Sequence, residues 1–412
     1  MAAINTKKAL VPKLRFKGFD DSWISKKLGD IGTTNGGLTY SPDDIVADQS
    51  KGTLVLRSSN IQDGMISFHD NVYVNCPITE KDLVKENDIL LCVRNGSKSL
   101  IGKSLIIKKE QEGYAFGAFM AIYRSDYNPF IFHFFKSPKF FKQVHEHLGA
   151  TINQITGKSL NSFKLHLPTL PEQQKIASFL SAVDDKIRQL TRKKELLEQY
   201  KKGVMQQLFS GKLRFKDDKG KAFPEWEEKL LSEIAARNST KNKDNKINFV
   251  LTNSATRGII SQDDYFDREI ANQNNLEGYY VVAVDDFVYN PRISVHAPVG
   301  PIKRNKLKEG VMSPLYSIFR FKVQSLEFFE FYFETKEWHT YLESVSNIGA
   351  RHDRMNISNG DFFKMPIPFP CEDERKKIAS FLINLSEKIE SNNKVLTQTQ
   401  TFKKGLLQQM FV

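Results

Sequence analysis

At 412 residues the chain is long enough for two domains of ordinary size, each with its own buried core. Its 40% hydrophobic and 26% charged residues are those of a globular protein, and no run approaches the roughly 18–20 apolar residues of a membrane span. A formal net charge of +12 and a pI near 9.3 point to a polyanionic partner, most simply nucleic acid, with a generally lysine-rich surface as the plainer alternative. Cys76, Cys92 and Cys371 are scattered with no CxxC, so neither a disulfide framework nor a zinc cage is expected. The opening MAAINTKKALVPK lacks the apolar core of a signal peptide, and a cytoplasmic location is the expectation.

Along the chain the first recognisable word is KLRFK at 13–17, followed by a Trp-x4-Leu-x2-Ile spacing at Trp23, Leu28 and Ile31. The segments 52–61, 88–97 and 118–125 are rich in β-branched and aromatic residues and predict short strands. GSKSLIGKS at 96–104 imitates a phosphate-binding loop. Five residues separate Gly96 from Gly102 where that loop needs four, so a turn on a basic surface is expected instead. A helix is predicted over 129–148, its Phe residues spaced three and four apart as a core face rather than as base-stacking platforms. His145 and His147 fall on different faces of it, which argues against a metal pair. Gly149-Ala150 and the polar run TINQITGKSLNSFKLHLP follow.

A long helix is predicted next, from about 172 to 209, with Pro171 suited to its start and Gly211 to its stop. Ile176, Leu180, Val183, Ile187, Leu190, Leu197, Val204 and Leu208 form a heptad seam, interrupted by Lys194 and Lys201. The basic cluster Lys186, Arg188, Arg192, Lys193, Lys194 reads as a solvated helix face before it reads as a DNA contact.

The second half then repeats the first. KLRFK returns at 212–216, and the Trp-x4-Leu-x2-Ile spacing at Trp226, Leu231 and Ile234. Strands are predicted within 279–295 and 315–323, and an aromatic helix over 326–345. Gly349-Ala350 precedes RHDRMNISNGDFFKMPIP, and a 200-residue offset sets Phe163-Lys164 against Phe363-Lys364. KIASFL at 175–180 recurs at 377–382, opening a second long helix from about 374 to 411. Its seam runs through Ile378, Leu382, Leu385, Ile389, Leu396, Leu406 and Met410, and its interruptions are Asn392, Thr399 and Lys403. Each long helix spans roughly 55 Å.

The fold expected is α+β: two similar globular segments, 1–170 and 211–371, with two helices, 171–210 and 372–412, related by a pseudo-twofold internal repeat. The helices satisfy either an intramolecular antiparallel coiled coil or a zipper between chains. The first is favoured because both copies lie on one chain, each after a globular segment of similar length. Between matched anchors the two halves differ, and there the candidate DNA-binding residues fall. Thr151, Asn153, Gln154 and Lys158 follow the first Gly-Ala; Arg351, His352, Arg354 and Asn356 follow the second. Asn and Gln pair bidentately with adenine, and Arg with guanine, in the major groove. Arg57, Ser58, Asn60, Arg94, Asn95 and Lys98 end or follow strands of the first half, and Asn253, Arg257, Arg292, Ser294 and His296 those of the second. There is no GxSxG, no HExxH and no Asn-Pro-Pro-Tyr pattern, and the acid pairs Asp184-Asp185 and Asp285-Asp286 lack a basic partner at nuclease spacing. No catalytic residue or metal site is expected.

The paired KIASFL…KKG…QQ…F helices, the Trp-x4-Leu-x2-Ile openings, the Gly-Ala loops and the half-length offset resemble the specificity subunit of type I restriction–modification systems. The resemblance covers nearly the whole chain. It implies that the globular segments are target-recognition domains, each reading one half of a bipartite asymmetric site in double-stranded DNA. It implies an antiparallel helix pair acting as a ruler and holding two methyltransferase (modification) subunits. Those partners would use S-adenosylmethionine to methylate adenine, and restriction (motor) subunits would use ATP and Mg²⁺; no cofactor and no catalysis fall to this chain. A coiled-coil scaffold with two protein-binding domains is the rival from another class, and a nucleotide-binding enzyme built on 96–104 is a third.

Overall fold

The computed structural model describes residues 11–62, 64–148, 153–263, 276–346 and 353–412. The chain divides into two compact units, Met1–Thr191 with Lys394–Val412, and Arg192–Asn393. No helix among the described residues is long and apolar enough to cross a membrane.

In the first unit a four-stranded antiparallel sheet has the order Thr33–Gly36, Met120–Arg124, Ile89–Cys92, Ser104–Ile106. The second unit repeats it as Ala235–Asn238, Ser317–Phe321, Phe287–Tyr289, Ile302–Arg304. Both sheets start their inner strand from the same device. Asn87 and Asp285 take left-handed conformations at φ 65° and 71°, which Asn and Asp tolerate better than other side chains. The next residue, Asp88 or Asp286, is buried and bound through both oxygens by an Arg on the neighbouring strand, Arg124 at 2.7 and 2.6 Å and Arg320 at 2.7 and 3.1 Å. A bidentate pair of this kind fixes the register of the strand that follows.

Each globular segment is closed by a two-stranded ribbon. Ile24–Lys27 pairs with Lys164–Leu167 in one, and Glu227–Leu230 with Pro366–Phe369 in the other, just before each long helix. The register places Lys164 opposite Lys27 and Pro366 opposite Leu230, so Lys164 corresponds to Pro366. The expected match of Phe163-Lys164 with Phe363-Lys364 is therefore two residues out. Thr156 caps the short helix Gly157–Ser162 and Ser358 caps Asn359–Phe363, so the extra length precedes the cap.

Each predicted aromatic helix is two helices: Asn128–Phe134 and Pro138–His147, then Leu326–Tyr332 and His339–Val345. Pro138 cannot continue the first helix and starts the second, with the Ser137 hydroxyl accepting from the Phe140 N–H. Their Phe side chains are core, as spacing predicts: Phe130, Phe134, Phe135 and Phe140 in the first unit, Phe328 and Phe329 in the second, are all buried.

The long helices are Leu170–Phe209 and Glu372–Gln409, each roughly 60 Å at 1.5 Å per residue. Gly211, at φ 72°, ends the first, its N–H donating to the Leu208 carbonyl at 3.0 Å. Within the first unit the start of one helix packs against the end of the other: Ile176 and Leu180 share a core with Leu406 and Met410, and Asp184 is ion-paired to Lys403. The direction is antiparallel, since moving back from Asp184 goes with moving forward from Lys403. In the second unit Val204 and Leu208 share a core with Ile378 and Leu382. Of the expected seam, Ile176, Leu180, Leu190, Ile378, Leu382 and Leu385 are buried, while Val183, Ile187, Leu197, Ile389 and Leu396 are partly covered.

Two of the polar interruptions dock the globular segments. Lys403 meets Asp184, which also holds Lys136 at 3.4 Å, and Lys201 meets Glu334 at 3.4 Å and lies 5.0 Å from the Phe331 ring centre. A second repeated pair ties each KLRFK word to a helix start. Arg15 binds Glu172 at 2.8 Å through two nitrogens, and Arg214 binds Glu374 at 3.2 and 2.8 Å. Both carboxylates are buried in the first turn of their helix, where the dipole favours negative charge.

Candidate nucleic-acid interface

In each arm the inner strand, anchored at its buried Asp, runs straight into the candidate site. The Arg94 N–H donates to the Phe119 carbonyl at 3.1 Å, and Ile155 donates to Val93 at 2.8 Å. Arg94 and Gln154 thus face each other across an antiparallel bridge. In the second arm Ile293 donates to Asp353 at 3.0 Å and Met355 to Pro291 at 2.9 Å, and the same bridge joins Arg292 to Arg354. Residues about 60 apart in sequence are zipped together twice, at equivalent places, with Arg–Gln in one arm and Arg–Arg in the other. Scaffold is repeated here and side-chain chemistry is not.

Around the first bridge the Asn95 amide donates to the Ser58 hydroxyl at 3.0 Å and accepts from Ser97 N–H at 2.9 Å, while Asn153 donates to the Gly96 carbonyl at 3.0 Å. These contacts bring Ser58, Asn95 and Asn153 to Arg94 and Gln154 and engage two of the amides. Gln154 has no side-chain hydrogen bond among the described residues, which leaves its amide available for an adenine edge. The Arg94 guanidinium lies 5.0 Å from the ring centre of Phe119, an exposed aromatic with no place in the sequence reading. Arg57 is turned to Asp70, 2.8 Å away, at the rim of a cavity of about 600 Å³ that Phe119 also lines. Hydrogen bonds from Ser59 and Arg57 lower the Asp70 pKa from its ordinary value, so the carboxylate stays charged. Lys98 and Lys158 are exposed, on short helical turns beside this edge.

Around the second bridge Arg292 and Arg354 share one acidic neighbour, with Nε atoms 3.9 and 3.6 Å from Asp353 Oδ2. Both distances exceed a hydrogen bond, so the guanidinium donors are not committed to it. Ser294 and His296 are exposed on a tight turn, Asn356 is exposed, and Arg257 stands exposed at the tip of the hairpin Leu251–Ser254 with Gly258–Ser261.

Two candidates are corrected. Asn60 is fully buried; its side chain accepts from Arg57 N–H at 2.9 Å and donates to the Ser67 carbonyl at 2.9 Å, closing its own loop. Asn253 lies within a strand, buried, donating to the Val288 carbonyl at 2.7 Å. Both amides are spent on backbone groups inside the fold. Thr151, Arg351 and His352, with both Gly-Ala pairs, lie outside the described residues. The 96–104 segment holds a single 3-10 turn, Lys98–Leu100, before the strand Ser104–Ile106, and has no helix for a phosphate to cap. The basic cluster on the long helix forms pairs along its own face, Arg188 with Asp185 and Arg192 with Glu195, as a solvated face does.

Residues 20–199 match the family model for the type I restriction modification DNA specificity domain. The specificity subunit of the type I restriction enzyme EcoKI from Escherichia coli is 28% identical over 208 residues, covering 47% of this chain and 44% of that protein. The chain thus spans less than half the length of that relative. The putative type I restriction enzyme MjaX specificity subunit from Methanocaldococcus jannaschii is 27% identical over 418 residues, covering 94% and 92%. Among solved structures, the type I restriction-modification S subunit from M. genitalium aligns over 98% of this chain and 99% of that one, with a TM-score of 0.56 and 14% identity. A chain from a type I R-M system solved for its complex assembly and conformational transition aligns over 95% and 98%, with a TM-score of 0.54. At that identity the structural likeness shows a shared fold.

Proposed function

We propose that this chain is a specificity subunit of the type I restriction–modification family and supplies the sequence specificity of such a complex. Each arm reads one half of a bipartite, asymmetric site in double-stranded DNA. The observation that carries this reading is the repeated bridge with unlike side chains: Arg94 opposite Gln154, and Arg292 opposite Arg354. A protein that must read two different half-sites needs one scaffold used twice with different hydrogen-bonding groups, and arginine and glutamine are the side chains whose geometry matches guanine and adenine. Lys98 and Lys158 beside the first edge, with the net charge of +12, supply the sequence-independent, salt-dependent attraction to phosphate.

The long helices set the distance between the two half-sites and hold two methyltransferase subunits. Tyr200 and Phe402 support this part of the reading. They occupy the same position in the two repeats, 202 residues apart, and both stand 55% exposed, with the exposed Leu196 one turn before Tyr200 and the exposed Val395 two turns before Phe402. Aromatic side chains left in water at equivalent places are the anchors that protein interfaces favour. The methyl donor, S-adenosylmethionine, belongs to those partners, and ATP with Mg²⁺ to the restriction subunits that complete the complex in the cytoplasm. This chain directs adenine methylation and cleavage and performs neither. Mapping methylated adenines genome-wide, with the chain present and deleted, tests the proposal. A single split motif that vanishes on deletion is expected; a scaffold with two protein-binding domains would leave the map unchanged.

A further inference from the structure

We propose that Val295 reads the 5-methyl group of a thymine in the second half-site, an inference that rests on the DNA-reading role proposed above. Val295 is 96% exposed, the most exposed large apolar side chain among the described residues. It stands on a turn closed in both directions: the Ser294 N–H donates to the Ala297 carbonyl at 3.0 Å, and the Ala297 N–H donates back to the Ser294 carbonyl at 3.1 Å. Below it Ala297 and Val299 are buried. Gly300, at φ 82°, lets its N–H reach the Ala297 carbonyl at 3.0 Å while its backbone passes Asn290 so closely that a Cβ there would come within 2.1 Å of the Asn290 carbonyl oxygen. The turn is therefore fixed, and the fold holds an apolar side chain in water.

The neighbours define the partner. Arg292, which bridges Arg354, lies three residues before Val295, and the exposed Ser294 and His296 flank it. One valine among cationic and hydrogen-bonding groups is too small for the contiguous apolar patch that marks a protein-docking surface. It suits the major groove, where polar groups read base edges and an apolar side chain meets the thymine methyl. Its two methyl groups also fall short of the bulk that wedges between stacked bases. The first arm carries Ser97 at the equivalent place, 198 residues earlier, followed by the exposed Lys98. The apolar contact belongs to the second arm alone, as readers of unlike half-sites require.

The test uses the full-length chain purified with its modification subunits and duplexes carrying the mapped bipartite site. Each thymine of the second half-site is replaced in turn by uracil, which lacks only the methyl group. Wild type is expected to lose about fourfold in affinity at one thymine. Val295→Ser should bind the thymine duplex about fourfold more weakly and no longer distinguish it from uracil, with Val295→Thr, which keeps one methyl, in between. Indifference of the wild type at every thymine, a second half-site without thymine, or a Val295→Ser complex that still senses the methyl overturns the assignment. So does a Val295→Ser chain that sheds its modification subunits yet keeps the uracil response, which would place the valine at a protein contact. If the wild type does not prefer the mapped site to scrambled DNA, it is the DNA-reading role that falls, and the assignment with it.

Discussion

Gln154 and Asn60 show how two amides from similar sequence contexts take opposite roles. Asn60 is buried and supports the backbone of its own loop, whereas Gln154 faces Arg94 across the bridge with its amide uncommitted. Truncating each should separate stability from specificity. Asn60→Ala leaves backbone groups without partners and should cost about 1–3 kcal/mol of folding stability, with the recognised motif unchanged. Gln154→Ala should leave the melting temperature in place and relax one position of the first half-site, by about 1–3 kcal/mol of discrimination. Thermal melts and methylation maps of the two variants check this; a Gln154→Ala map identical to wild type would remove that residue from the reading edge.

At the level of elements, the docking of Asn128–Phe134 on the first long helix creates a buried titratable cluster. His133 is fully buried, with Nε2 3.1 Å from the Ser181 hydroxyl and Nδ1 3.9 Å from Asp184, and with Lys136 and Lys403 nearby. Burial first, and then the Lys136 charge, push the imidazole down to about 3. Lys136 is itself pushed down to about 8 by burial and Lys403, so its titration falls in a separate, alkaline range. An unfolded histidine takes a proton near pH 6.5, while the folded protein keeps this one neutral far below that. The stability this contributes is complete above about pH 6.5 and is lost as the pH falls toward 3, at up to ~1.4 kcal/mol per pH unit. The counterpart of His133 in the second arm, 198 residues on, is Phe331. His133→Phe should flatten the loss of stability between pH 7 and 4, measured by denaturant titration; an unchanged slope would place the acid sensitivity elsewhere.

The same elements show which features a sequence exposes and which it hides. The long helices were legible because a heptad seam is a local periodic signal, present twice. Lys201 and Lys403 looked like defects in that seam because their acidic partners, Glu334 and Asp184, lie more than a hundred residues away. Each aromatic helix was read as one because apolar spacing runs through the break, although Pro138 marks a new start. Arg94, Gln154, Arg292 and Arg354 could be named from residue type and position, but their pairing needs the strand register that Asp88 and Asp286 set. Asn60 and Asn253 resembled readers because buried and exposed amides look alike in sequence.

For the molecule as a whole, the repeat separates what is kept from what varies. Sheet order, closing ribbon, Arg–Glu clasp, buried Asp–Arg pair and backbone bridge recur in both arms, while the side chains at the bridge, the exposed Val295 and the exposed Phe119 do not. A scaffold that is maintained independently of its reading edge makes each arm exchangeable. The most direct measurement exchanges residues 211–371 for the corresponding segment of a relative with a different recognition motif and maps methylated adenines. One half of the split motif should change to that of the donor, with the other half and the spacing between them retained. An unchanged motif, or two altered halves, would contradict the assignment of one half-site to each arm.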